Sequence, residues 1–145
     1  MNFEKMINIR QNNELTQTQM AKILNVSRSA YSLWEINKNV VPLEKLNDFC
    51  NYFNVSMDYV AGISNSSQGN YDKKKLDKEE IGRKLRLTRK ELKLTQEKLA
   101  NIFNTTHSAI SAYENGVTMI PTLFIIEFAK ISKKSLDWFC GRVEE

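Results

Sequence analysis

Two stretches of this 145-residue chain, LTQTQMAKILNVSRSAYSLWE from Leu15 to Glu35 and LTQEKLANIFNTTHSAISAYE from Leu94 to Glu114, repeat one another at an offset of 79 positions. The alignment runs without a gap from Leu15 to Gly62 against Leu94 to Gly141, with 15 identities in 48 positions, most of them at apolar, capping or turn residues. The repeat therefore defines a scaffold more firmly than a set of contacts. It also implies two small domains of roughly 65 residues each, near the lower limit for an unaided core, so each copy must be compact and mostly helical. The expected organisation is a first domain over 1–62, a flexible polar linker over 63–78 and a second domain over 79–145. The linker expectation rests on the run Asn65 to Asn70 followed by Lys73-Lys74-Lys75, which offers little apolar surface to bury.

Within the first stretch, Met20, Ala21, Ile23 and Leu24 give one apolar helical face, Asn25-Val26 interrupts it, and Tyr31 and Trp34 resume it on a second short helix. This is the pattern of two helices at an angle joined by a tight turn. Thr16 and Gln19 have the T-x-x-Q spacing of a capping box, in which each side chain satisfies a backbone N–H that the helix start leaves orphaned. On the second helix, Ser27, Tyr31 and Trp34 share the packed face, which turns Arg28, Ser29, Ser32 and Leu33 outward. Phe3 to Asn12 reads as a preceding helix with Phe3, Met6, Ile7 and Ile9 inward; Leu46, Phe49, Cys50 and Phe53 mark a fourth; Ser56 starts a fifth that stops at Gly62. Ile81, Leu85 and Thr88 repeat the inward face of the first helix, and Phe124, Ile125 and Phe128 that of the fourth.

These marks, together with Trp34-Glu35, Pro42, Leu43-Glu44-Lys45-Leu46 and Asn54 to Gly62, resemble the helix-turn-helix domains of the lambda repressor/Cro (XRE-like) family. Tyr113-Glu114-Asn115-Gly116, Pro121 and Ser135 to Gly141 carry the resemblance into the second copy. It implies an all-α fold of two tandem five-helix domains and a chain that binds double-stranded DNA. It further implies that Arg10 pairs with Glu35 and Arg89 with Glu114 as structural ion pairs, and that Gln17 and Gln96 contact phosphates at a helix start. The recognition positions it implies are Ser27, Arg28, Ser29, Ser32 and Leu33 in one copy, and Thr106, His107, Ser108, Ser111 and Ala112 in the other.

Among these, Arg28 is the best base reader, because its planar fork matches the O6 and N7 of guanine. Lys38, in the loop that follows, suits a phosphate. The second set holds no Arg, Lys, Asn or Gln, so its reading is expected to be weaker or different. Charge points the other way. Residues 1–62 and 63–80 each sum to zero, and the net +4 sits in 81–145, concentrated on the first helix of the second copy. Arg83, Lys84 and Arg86 are accordingly expected to contact phosphates, giving a first domain that specifies and a second that anchors.

Other classes recede. The lone His107, two unaligned cysteines (Cys50 and Cys140) and no Cys-x-x-Cys spacing give no metal, disulfide or cofactor site, and no nucleophile constellation or phosphate loop suggests an enzyme. No apolar run reaches the roughly 18 residues of a membrane span, and no signal peptide opens the chain, so the cytoplasm is expected. With four residues after Gly141, no further sensor domain is expected. The leading expectation is a sequence-specific transcriptional regulator, most simply a repressor. A homodimer formed through Tyr59 or Trp138-Phe139, or another regulator protein, is a conceivable partner. The competing expectation is an antirepressor or antitoxin-like protein whose second domain binds a protein instead of reading bases.

Overall fold

The computed structural model describes residues 3–144; Met1, Asn2 and Glu145, at the outer ends of the two expected domains, lie outside the described residues. The chain forms two compact units, one ending at Tyr71 and the other beginning at Asp72. The described residues contain ten helices and no strand, five helices to each unit.

In the first unit, α1 (Glu4–Asn12), α2 (Gln17–Ile23), α3 (Arg28–Glu35), α4 (Leu43–Phe53) and α5 (Met57–Val60) follow the sequence punctuation closely. The capping box forms: Thr16 Oγ1 accepts from the Gln19 amide at 3.1 Å, and Gln19 Oε1 accepts from the Thr16 amide at 2.8 Å. Ser27 caps α3 and Ser56 caps α5. Asn25 turns the chain between α2 and α3 at φ 57°, and Asn37 ends the following turn at φ 60°, left-handed positions that Asn tolerates because its short amide can bond locally. Phe3, Met6, Met20, Leu24, Tyr31, Leu46, Phe49, Cys50, Met57 and Val60 form the core. Ile7, Ile9 and Phe53 are only half-buried, at the margins of the faces assigned to them.

The second unit repeats the order with α6 (Lys78–Glu91), α7 (Gln96–Phe103), α8 (His107–Glu114), α9 (Thr122–Ser132) and α10 (Leu136–Phe139). Ile81, Leu85, Thr88, Ile125 and Phe128 are buried as expected, while Phe124 is half-buried and stacks on Phe103 at a centroid separation of 5.1 Å. α6 is five residues longer than α1, 14 against 9. A Cβ at Gly82 would lie 2.5 Å from the carbonyl oxygens of Tyr113 and Glu114, so only glycine lets α6 pass this close to the end of α8.

No helix forms between Val60 and Lys78. The stretch nevertheless makes backbone hydrogen bonds to its own unit on either side. Ile63 and Ser64 donate to Asp58 O, and Ser56 donates to Ser67 O; further on, Asp72 donates to Arg142 O. No described helix is long and apolar enough to cross a membrane, and no group of three or more described His, Cys, Asp or Glu residues could hold a metal ion. Cys50 and Cys140 are buried free thiols.

Candidate nucleic-acid interface

Each interface is built on a buried arginine–glutamate pair that ties three elements together. Arg10, near the end of α1, donates from Nε to Glu35 Oε2 at 2.7 Å and from Nη2 to Oε1 at 3.1 Å, while Nη1 bonds Leu15 O at 2.7 Å. Gln17, first residue of α2, donates from Nε2 to Glu35 Oε1 at 2.9 Å. The end of α1, the start of α2 and the end of α3 thus share one carboxylate. The second unit reproduces the arrangement: Arg89 bonds both Glu114 oxygens at 2.6 and 3.0 Å and Leu94 O at 2.9 Å, and Gln96 Nε2 bonds Glu114 Oε1 at 3.0 Å.

Burial by itself would push both carboxyls upward. The hydrogen bonds from Arg10 and Gln17, and from Arg89 and Gln96, outweigh it and hold Glu35 and Glu114 below the usual carboxylate range. The Tyr31 hydroxyl lies beside the first pair without a well-aligned hydrogen bond, and burial pushes it far above the ordinary phenol range. Ile110 holds the equivalent place in the second unit, and no phenol enters that cluster.

The carboxylate consumes one N–H of each Gln amide. A second N–H on Gln17 Nε2 is left, together with the Gln17 and Thr18 backbone amides, which the capping box does not use. That is the donor array a phosphate oxygen needs at a helix start. Arg28 and Ser29 are exposed on the first turn of α3, and neither the Arg28 guanidinium nor the Lys38 ammonium has a partner among the described residues. Ser27 is used as the α3 cap, accepting from the Ala30 amide, and Ser32 donates to Ser29 O at 3.0 Å. Leu33 is half-buried, so it presents only part of its side chain outward.

On the second unit, Thr106 caps α8 by accepting from the Ala109 amide, and His107 and Ser108 are exposed. Gln96 and His107 line one shallow depression with Arg89, Leu94, Thr95 and Glu97, which brings two of the expected residues together. Ser111 accepts from Asn115 Nδ2 at 3.3 Å, and Ala112 is half-buried. Where the first unit has Lys38, the second has Val117, 69% exposed.

The three cations of α6 expected at phosphates already make contacts within the unit. Lys84 is buried: its ammonium donates to Trp138 O at 2.6 Å, sits 4.9 Å from the Trp138 ring centroid, and is drawn below the ordinary lysine range by desolvation. It holds α10 to α6 and is withdrawn from the surface where a phosphate contact would need it. Arg86 reaches Glu114 Oε1 at 3.4 Å and Asn115 Oδ1 at 2.6 Å, and Arg83 pairs with Glu80 one turn before it on α6. Arg83, Lys84 and Arg86 thus each have a partner within the unit. The repeat itself carried the missed signal, because Lys5 and Tyr59 stand 79 residues before Lys84 and Trp138 and make the same ammonium-over-ring contact at 4.2 Å. The aromatic residues considered for a dimer are likewise used internally: Phe139 is fully buried, and Lys134 approaches the Trp138 ring at 5.2 Å.

Comparison with known proteins places residues 6–60 in a family described as helix-turn-helix, and residues 82–142 in one described as helix-turn-helix domain. Among curated proteins, the chain is similar to an uncharacterized HTH-type transcriptional regulator, YobD, of Bacillus subtilis (strain 168). It is 27% identical over 76 residues, which cover 52% of this chain and 68% of that relative. No solved structure matches. The repeated Arg–Glu–Gln clamp, the capped helix pairs and the family matches on both units agree, and the chain belongs to the helix-turn-helix proteins as two lambda repressor/Cro-type (XRE-like) domains in tandem.

Proposed function

We propose that this chain is a sequence-specific DNA-binding transcriptional regulator, most simply a repressor that occupies a promoter, and that its first unit is the principal reader of base sequence. The observation that carries the reading is Arg28, exposed and unpartnered on the opening turn of α3, beside the unused amides at the start of α2 and the free Lys38. The phosphate-facing amides would fix the register of α3, and Arg28 would then read a guanine edge. Because Arg83, Lys84 and Arg86 of α6 are engaged inside the second unit, the first unit, although neutral overall, supplies base discrimination and much of the phosphate affinity. Selection of bound sequences from a random duplex pool, with the full chain and with Arg28→Ala at one salt concentration, tests this. Loss of a guanine preference at one position supports it; an unchanged motif from Arg28→Ala rejects it.

Val117 favours a second reading for the second unit, in which its helix-turn-helix face meets a protein. An exposed Val where a cation would contact phosphate, next to a recognition helix of His, Ser and Ala, suits an apolar partner better than a polyanion. A full-length variant with Arg28, Ser29 and Ser32 changed to Ala separates the two. A residual, shorter DNA motif assigns the second unit to DNA; the absence of any motif supports the protein reading.

A further inference from the structure

Asn115–Gly116 is the one place in the chain where glycine follows asparagine. With no side chain to shield it, a glycine nitrogen is the backbone nitrogen best able to approach a neighbouring side-chain amide. Deamidation begins when the Gly116 nitrogen gives up its proton and attacks Asn115 Cγ. The new C–N bond closes a five-membered succinimide, and the side-chain nitrogen leaves as ammonia. Water then adds at either ring carbonyl and opens the ring to aspartate or isoaspartate, with no oxidant or reductant required. Closure of that ring needs the Gly116 nitrogen to swing toward Asn115 Cβ.

The side chain of Asn115 is open to this attack and its backbone is set against it. Arg86 donates to Asn115 Oδ1 at 2.6 Å, which draws electron density from Cγ and makes it the better electrophile. Asn115 itself follows α8 as its C-cap at φ −87° and ψ 2°, a torsion that turns the Gly116 nitrogen away from the side chain. Backbone hydrogen bonds hold that torsion: Gly116 N–H donates to Tyr113 O at 3.3 Å, and Val117 and Thr118 both donate to Ala112 O, at 3.0 and 3.3 Å. The first turn of α6 also lies against this point, since a Cβ on Gly116 would be 2.8 Å from Glu79 Cα. The first unit has Ile7, Ile36 and Asn37 where the second has Arg86, Asn115 and Gly116, so it repeats neither the amide nor its guanidinium.

We propose that Asn115 is a deamidation site whose conversion is gated by local opening of the last turn of α8. Openings of this kind are sub-global events that begin at the ends of elements and leave the rest of the core closed. Either product disturbs the place where α8 meets α6. Isoaspartate routes the main chain through Cβ and adds a carbon beside the close approach of Gly116 to Glu79. Aspartate sets a second carboxylate next to Glu114, where it competes for Arg86. Conversion at this position alters the second unit alone, whatever that unit binds.

Peptide mapping of the aged full chain by mass spectrometry tests this. Conversion at Asn115 is measured against Asn65, which is exposed, outside any helix and followed by Ser66. The ratio of Asn115 to Asn65 conversion should be at least about tenfold lower in native buffer than in urea. Gly82→Ala, whose added carbon would strike Tyr113 O, the acceptor of the Gly116 N–H, should raise the native ratio at least about fivefold. Ser135→Ala, which weakens the unit at the cap of α10, should leave that ratio unchanged. The same ratio in native buffer and in urea overturns the inference. So does an acceleration by Ser135→Ala equal to that by Gly82→Ala, which would assign the protection to unfolding of the whole unit. If Gly82→Ala does not fold, the wild-type ratios and Ser135→Ala decide alone.

Discussion

Glu35 and Glu114 each accept hydrogen bonds from two other helices, so a single carboxylate sets the geometry of a whole interface. Removing one partner of such a buried pair leaves the other charge uncompensated, and Arg89→Ala should destabilise the second unit by about 3–5 kcal/mol in urea unfolding. The same residues set the acid limit. Their folded pKa values lie below the unfolded ones, so the stability they contribute is fully present above the unfolded carboxylate range and is lost as pH falls through the lower folded values. Melting temperature should therefore hold level above about pH 5 and fall below about pH 4, with a shallower fall in a Glu35→Gln, Glu114→Gln variant; an equally steep fall in that variant would place the acid sensitivity elsewhere. Gly82 is a second residue of this kind. Exchanging a helical Gly for Ala normally stabilises by roughly 1 kcal/mol, but here the added carbon would strike two backbone oxygens. Gly82→Ala should instead cost about 1–3 kcal/mol, measured by the same unfolding assay. The clamp was legible in the sequence through its resemblance to a family. Gly82 was not, because a close approach between helices leaves no mark on periodicity.

Backbone conformation repeats between the units more faithfully than residue identity does. Left-handed residues occur in register at Glu14 and Lys93, Asn25 and Asn104, Asn37 and Gly116, Asn54 and Lys133, and Gly62 and Gly141, although just two of these five pairs keep the same residue. The helix ends were readable where Asn or Gly marked them. At Glu14, Lys93 and Lys133 the surrounding packing imposes the turn on residues that do not favour it, and local composition gave no warning. Caps behave similarly. α2 has the full capping box, whereas α7 keeps the Thr95 cap but carries Lys98 where Gln19 would close it. Thr16→Ala and Thr95→Ala should each cost about 1 kcal/mol, and Gln19→Ala should cost more than Lys98→Ala because it alone leaves the backbone N–H of the cap residue without its acceptor; equal losses for Gln19→Ala and Lys98→Ala in thermal unfolding would show that the second half of the box contributes nothing. The charge of α6 was legible and its use was not, since a count of cations does not reveal which of them the fold consumes. If binding follows the proposal, Lys38→Ala should reduce the magnitude of the salt slope, d log K/d log[salt], by about 0.9. Arg83→Ala should leave it within error, and a drop there as large as for Lys38 would return α6 to the interface.

At the level of the whole molecule, each unit has its own core and supplies its own partners for the segment that leaves or enters it. Ser67 O accepts from the Ser56 amide in one unit; in the other, Asp72 N–H bonds Arg142 O, whose guanidinium is buried against Asp137. Composition reads this stretch as a flexible polar linker, and polar side chains do not disclose where its backbone amides and carbonyls bond. Each unit's own core is expected to give it its own stability. Hydrogen exchange of the full chain, resolved by segment, checks this directly. Glu114→Gln should speed exchange of the slowest amides in α6 to α10 in proportion to its loss of stability, while those in α1 to α5 keep their rates. Equal acceleration in both sets would mean that the two units unfold as one, and the tandem repeat would then be a single cooperative body.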